Sequence, residues 1–469
     1  MSGIQLVALA PHPPIIIASV GRGDREKVAR TVAAMEELSR EIAALDPDTI
    51  VLISPHGPIF QDVVAVFDGE TLEGDLSNFG ASGEKVKVQV DTEFIDHLEE
   101  KSREGPVSLL RVDLQESHRY HVRRSLDHGA LVPMLYLKEA GVKAKYVNMT
   151  FGLYPYGDLY ELGYAVQQTA AALNRKVVVL ASGDLSHCLI PGAPGGFRRE
   201  GKVFDETLVE ILAKGTLEEL FSLDPDLIEK AGECGFRSLV LALGALEGRE
   251  FTPRILSYEG PFGVGYLVAA FSPTGQETPS LLDKLRSAEE KGLARARKAE
   301  SFPAALARKT LETYVRTGKK PDPPPPAEMP PEFRGKAGVF VSLKKKGQLR
   351  GCIGTTEATA ANIPREIMQN TISAGIRDPR FPPVGAHELE ELSYSVDILG
   401  EPEEVQGLED LDPAAYGVIV EARGKRGLLL PDLPGVDTAG EQVGIASRKA
   451  GIKEGEQVRL YRFKVDRYY

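Results

Sequence analysis

Short apolar stretches alternating with helix-periodic segments constrain this chain more than any other feature. Residues 4–10 and 49–53 read as buried strands. Between them, residues 23–45 carry Val28, Val32, Met35 and Leu38 on one stripe, the spacing of an amphipathic helix. Asp24 is placed to cap that helix. The alternation continues with a helix at 130–140, a strand at 144–151, a helix at 160–173 and a β-branched strand at 176–181. Parallel strands need crossover connections, and helices between strands supply them. The N-terminal part is therefore expected to be an α/β domain with a largely parallel central sheet. Helical segments at 203–214 and 225–246 and a closing strand at 264–271 complete it.

The pattern then changes. The polar, Pro- and Gly-containing stretch 272–280 reads as a boundary, and the charged segment 282–300 as a helix-prone, semi-rigid tether. The expected division is a first domain at 1–275, a helical linker at 276–300 and a second domain at 301–469. The second domain carries a helix at 304–315, a hairpin from 339–343 to 349–353 and a helix at 363–376. Strands follow at 392–399, 418–422, 427–430 and 459–465. Strands outnumber helices without strand–helix–strand alternation, so this C-terminal domain is expected to be α+β. The proline-rich run at 321–331 reads as a polyproline loop inside it, because Leu306, Leu311 and Val315 before the run need a partner core.

With 42% hydrophobic and 26% charged residues in 469, the chain is neither disordered nor fibrous. A formal charge of −12 argues against a nucleic-acid partner and against a polybasic membrane patch. No run approaches the roughly 20 apolar residues of a membrane helix. The start, MSGIQLVALAPHPP, lacks a basic signal-peptide region. The three cysteines, Cys188, Cys234 and Cys352, are far apart, which suits a reducing compartment. The expectation is a cytoplasmic protein. Walker A, HExxH and Ser-His-Asp strings are absent, and GVG at 263–265 lacks a nucleotide loop's third glycine.

Of eight histidines, only His387 lies beyond residue 190. His12 follows the first strand in APHPP, His56 the second in SPHGP, and His187 a later one in ASGDLSH. The carboxyl ends of strands in an open parallel sheet form its ligand crevice, so these side chains can converge. His128, in LDHGALVP just before a helix, can face the same crevice. Imidazoles there suit metal ligation or acid–base work. His97 is expected to face solvent, whereas His118 and His121 are weaker candidates for the crevice.

As an ordered set, PHPP, SPHGP, LDHG and SGDLSH resemble the class III extradiol dioxygenase catalytic subunit superfamily, which includes the Memo-like proteins, over roughly residues 1–272. The resemblance implies Fe(II), or another divalent metal, held by His12, His56 and a carboxylate. It implies His187 as the acid–base group and His128 as a substrate-oxygen or supporting contact. The substrate would be a small catechol-type diol. For the carboxylate, AGECGFRS offers Glu233, with Cys234 beside it as the Memo-like alternative, and SYEGP offers Glu259. Neighbours on one helix point about 100° apart, so Glu233 and Cys234 would compete. The loop PGAPGGFRREG after His187 suits either a mobile lid for an anionic substrate, through Arg198 and Arg199, or a plain surface loop.

In the second half, LRGCIGT places two glycines around Cys352. Its Arg350 is positioned to lower the thiol pKa or bind an anion, the alternative being a small buried thiol in a tight turn. Together with RDPRFPPV, SYSVDILGEPEEV and GKRGLLLP, this string resembles the AMMECR1 family from about residue 301 onward. The residues singled out are Arg350, Gly351, Cys352, Gly354 and Arg380. The resemblance also implies a radical-SAM protein as a working partner. A Memo-like metal-binding scaffold without ring cleavage is the rival to a dioxygenase.

Overall fold

In the computed structural model, which describes residues 2–433, 435–453 and 455–469, the apolar stretches form the centre of an eight-stranded sheet. The chain divides into two units, Met1–Arg286 and Ser287–Tyr469. The first begins β1 (Gly3–Ala10), α1 (Ala18–Gly21), α2 (Ala29–Leu45), β2 (Thr49–Ile53), β3 (Val64–Phe67), β4 (Thr71–Leu76) and β5 (Ala81–Gln89). Next come α3 (Thr92–Ser102), β6 (Leu109–Val112), α4 (Leu114–Arg119), α5 (His128–Glu139), β7 (Lys145–Met149), α6 (Tyr156–Ala172) and β8 (Lys176–Ser182). Then follow α7 (Arg199–Lys214), α8 (Pro225–Ala231), α9 (Phe236–Gly244), β9 (Arg249–Glu259), β10 (Tyr266–Glu277) and α10 (Leu281–Lys298), within which the division between units falls.

The sheet order is β6-β3-β7-β2-β8-β1-β10-β9. Its centre, β7-β2-β8-β1, is parallel throughout, and β3 pairs with β6 in parallel. Antiparallel pairings join β3 to β7, β1 to β10 and β10 to β9. All of β2 and nearly all of β8 are buried, as expected of strands covered on both faces. The fold is therefore α/β with a mixed, mostly parallel sheet.

Three local expectations change. Asp24 caps no α-helix: residues Arg22–Val28 form a 3-10 turn, α2 starts at Ala29, and Asp24 pairs with Lys27 at 2.7 Å. The helix expected at 225–246 breaks into α8 and α9. Gly232 takes φ +62°, and Gly235 packs so close to Gly183 that a β-carbon on it would lie 2.9 Å from Gly183 Cα. The expected boundary at 272–280 is mostly strand, because β10 runs to Glu277 against β9. The sequence reading also missed β9 and the separate β4–β5 hairpin, whose strands alternate weakly.

The second unit completes α10 and adds α11 (Phe302–Thr317), β11 (Val339–Lys345), β12 (Gln348–Thr355), α12 (Ile363–Ile376), β13 (Leu392–Leu399) and β14 (Glu403–Val405). It ends with β15 (Gly417–Ala422), β16 (Lys425–Leu429), α13 (Ala439–Lys449), β17 (Arg459–Phe463) and β18 (Val465–Tyr468). Two four-stranded antiparallel sheets, β12-β11-β13-β18 and β14-β17-β15-β16, make it α+β. The β11–β12 turn uses Lys346 and Gly347 at φ +48° and +77°, the geometry that matches the twist of a hairpin. The single strand expected at 459–465 is two strands: the chain leaves one sheet at Phe463 and enters the other at Val465.

Candidate metal centre

Because β1, β8 and β2 are parallel neighbours, their carboxyl ends open on one edge. The segments beyond β1 and β2 carry His12 and His56, and the turn beyond β8 carries Asp184 and His187. His128 arrives as the first residue of α5, whose N-cap is Asp127 accepting from Ala130 N. Ring nitrogens of His12, His56 and His128 lie within 4.8 Å of one another, a group able to hold a metal ion. His12 Nε2 is 2.9 Å from His56 Nε2, and the His56 and His128 rings stack at 4.3 Å.

The tautomer of His12 follows from its neighbour. Ser182 has one hydroxyl proton, which it donates to Gly129 O at 2.5 Å. Its oxygen must then accept from His12 Nδ1 at 2.8 Å. Nδ1 thus carries the proton and Nε2 presents its lone pair to the histidine group. Burial, reinforced by the neighbouring imidazoles, holds His12 well below the usual histidine range and His56 at about 3. Burial also lowers His128 and His187. The site therefore presents neutral donors at physiological pH, the state a metal requires.

Asp184 was not singled out from the sequence, although it stands inside the SGDLSH string. Its Oδ1 accepts from His12 N at 3.0 Å, and its Oδ2 lies 3.9 Å from His12 Nε2. Burial raises its carboxyl to about 6. Among the described residues, His187 Nε2 is buried with no hydrogen-bond partner. Ser182 and Asp127 were likewise unread. Their signal was their place, at the end of a buried strand and directly before a helix.

The carboxylates proposed as third ligand are engaged elsewhere. Glu259 Oε1 accepts from the backbone and hydroxyl of Thr31 at 2.7 and 2.6 Å. Glu233 Oε2 accepts from Phe236 N at 2.6 Å in the first turn of α9, and burial raises it to about 7. Neither joins the nitrogen group, whereas His128, expected in a supporting role, does. Glu233 and Cys234 share a turn between helices rather than a helix. Cys234 Sγ lies 3.8 Å from His12 Nε2, and burial raises its thiol pKa.

A cleft of about 1130 Å³ opens beside the histidines, lined among others by His56, His128, Phe67, Phe79, Lys85 and Arg123. Phe79, at the tip of the β4–β5 hairpin, stands 5.4 Å from the His128 ring. His118 and His121 are exposed and outside the group, and His97 is half-buried on α3 with Nδ1 against Glu93 O. The loop after His187 is tied down rather than hung as a lid. Gly195 N donates to His187 O and Arg198 N to Cys188 O, both at 3.0 Å.

In the second unit, Arg350 does not serve the thiol. It forms a two-pronged ion pair with Glu388 at 2.9 Å and donates to Pro382 O. Arg380 likewise clasps Asp378 and donates to Cys352 O at 2.9 Å, while Asp378 Oδ2 accepts from Cys352 N at 2.9 Å. The Cys352 thiol sits half-buried and accepts from Ser342 Oγ at 3.3 Å. Gly351 and Gly354 serve packing: β-carbons there would lie 2.2 Å from Ala374 O and from the Phe340 ring.

A mostly parallel α/β unit with a histidine group at its strand ends, followed by an antiparallel α+β unit, defines a two-domain protein with a metal-competent site. The chain belongs to the family of the catalytic LigB subunit of aromatic ring-opening dioxygenase, matched over residues 6–269, fused to an AMMECR1 domain matched over 304–468. Protein CA_C1420 of Clostridium acetobutylicum is 39% identical over 464 residues, 98% of each chain. A Thermotoga maritima protein is 51% identical over 164 residues, covering 34% of this chain and 92% of its own. The solved structure of PH0010 from Pyrococcus horikoshii, 32% identical, covers 35% of this chain and 88% of its own at a TM-score of 0.33. Among the described residues, no helix is long and apolar enough to cross a membrane.

Proposed function

We propose that the N-terminal unit is a non-haem iron enzyme of the extradiol dioxygenase type, acting on a catechol-type or related small aromatic substrate. The observation that carries this reading is the convergence of three imidazole nitrogens within 4.8 Å at the mouth of a cleft that Phe67 and Phe79 help to line. The donor chemistry fits: neutral imidazoles suit a divalent transition metal, and Ser182 fixes His12 in the ligating tautomer. His12, His56 and His128 would hold Fe(II), which supplies open positions for a diol and for O₂. His187, neutral and with Nε2 unpartnered, accepts the proton that a diol must lose. The Asp184 carboxylate favours the resulting imidazolium. Phe67 and Phe79 offer the ring an apolar wall.

The test is anaerobic loading of the full chain with Fe(II), addition of a panel of catechols, and admission of air while ring-cleavage products are followed optically. Turnover that disappears in His12→Ala supports the reading. One tightly bound iron with no turnover on any diol rejects it. That outcome favours a metal-binding scaffold without ring cleavage, for which the soft Cys234 thiol 3.8 Å from His12 Nε2 is the supporting observation. On either reading a radical-SAM protein is the proposed partner of the fused chain, and co-purification from the native host tests it.

A further inference from the structure

We infer that Asp205 is a positioning residue for His187, fixing from behind the peptide that carries the proposed acid–base ring. This rests on the reading of His187 given above. Asp205 sits on α7, fully buried, and does not touch the histidine group. Its Oδ1 accepts from Ser186 N and its Oδ2 from Tyr258 OH, both at 2.8 Å. Burial pushes its carboxyl up to about 7, so the acid is held at an energetic cost and its two hydrogen bonds are what offset it.

The His187 ring needs such support. Its Nε2 is buried and unpartnered, so that nitrogen does not set its orientation, which must come largely from the backbone. Ser186 is the anchor. Besides Asp205, its O accepts from Gly265 N at 2.9 Å, its hydroxyl donates to Ala231 O at 2.8 Å, and that hydroxyl accepts from Cys188 N at 3.0 Å. Asp205 supplies the side-chain partner of this set, the other partners being backbone groups. Gly265 leaves room for it: a β-carbon there would lie 2.1 Å from Asp205 Oδ2. A base that must accept a proton at a defined atom loses rate steeply with small displacements.

Asp205 acts through hydrogen-bond acceptance and not through its charge on the ring, because the charge that bears on His187 is that of Asp184. Asp205→Asn keeps an acceptor for Ser186 N and a donor that Tyr258 OH can accept. Asp205→Ala removes both. The experiment uses full-length, metal-free protein with ¹⁵N-labelled histidine rings, the His187 resonances being assigned by their loss in His187→Gln. Asp205→Ala should displace and broaden those resonances at one fixed pH, and Asp205→Asn should leave them in place. Where turnover is available, Asp205→Ala should lower kcat about 10- to 100-fold with KM little changed, and the Asn variant should restore it. Should Asp205→Ala not fold, Tyr258→Phe and Gly265→Ala are read in its stead, and each should move the same resonances. A folded Asp205→Ala, or both substitute variants, with His187 unmoved overturns the inference, as does an equal displacement in Asp205→Asn. Absence of turnover in the parent protein rejects the dioxygenase reading and leaves the resonance measurement to decide this one.

Discussion

His12 Nε2 and His56 Nε2 face each other at 2.9 Å, and only one proton can lie between them. Since Ser182 holds the His12 proton on Nδ1, the shared proton belongs to His56 until a cation replaces it. His56 then moves its proton to Nδ1, with no change in charge. Burial keeps His12 and His128 below the usual histidine range and His56 at about 3, so protons do not compete for the site near neutrality. Affinity for a divalent metal should change less than about threefold between pH 7.5 and 6, and fall only in stronger acid. Competition titration against a chromophoric chelator checks this. A tenfold loss by pH 6 would show histidines that titrate in their ordinary range.

Ser182→Ala removes the acceptor that fixes the His12 tautomer. Metal affinity should fall about 10- to 100-fold, the usual effect of losing a supporting hydrogen bond to a ligating histidine. It also leaves His12 Nδ1 and Gly129 O without their partner in a buried place, at a cost of about 1–3 kcal/mol. Chelator competition and urea denaturation read the two effects separately. Unchanged affinity would mean that His12 does not ligate through Nε2.

The buried acids and histidines oppose each other in the pH dependence of stability. Asp184 rises from 3.8 to about 6, and Asp205 and Glu233 rise to about 7. A raised acid stabilises the fold relative to its ionised form at low pH, and this is lost as pH rises through its folded value. For Asp184 the full swing is about 3 kcal/mol. The histidines act the other way. Their folded values lie below the ordinary 6.5, so the unfolded chain gains protons first and stability falls as pH drops below that value. The melting temperature of the metal-free protein should therefore rise from pH 8 to a maximum near 6 to 6.5 and decline below it. Thermal melts across that range would overturn this if stability climbed steadily to pH 8.

The parallel core and its histidines were legible because both follow from periodicity. A buried β-branched run ending in APHPP, SPHGP or ASGDLSH puts a side chain at a strand end whatever else the chain does. What was not legible depended on contacts between distant elements. The break at Gly232–Gly235 exists because Gly235 must touch Gly183, some fifty residues earlier, and no local spacing records that. Glu233 looked available for a metal because its bond to Phe236 N belongs to a helix start hidden inside an apparently continuous helix. His128 joined the ligand group only through the turn capped by Asp127. In the second unit, Arg350 two residues before Cys352 suggested an activated thiol, but the β11–β12 register slips at Arg350, and its true partner, Glu388, lies beyond the next helix.

That last difference separates two kinds of substitution in the LRGCIGT strand. The Arg350–Glu388 pair has side-chain exposures of only 12% and 11% and holds a two-pronged geometry. Arg350→Ala leaves Glu388 largely buried, with Lys345 Nζ at 3.9 Å and Gly385 N at 3.0 Å as its remaining partners, and should cost about 2–3 kcal/mol. Gly351→Ala should cost at least about 2 kcal/mol, since its β-carbon would meet Ala374 O at 2.2 Å and β12 would have to leave α12. Cys352→Ser keeps the backbone bonds to Asp378 and Arg380 and should stay within about 1 kcal/mol of the parent. Calorimetry of the full chain, following the transition that belongs to the second unit, ranks the three. If Cys352→Ser proved the most damaging, the strand would be built around its thiol, and the arginine and glycine would be secondary to it.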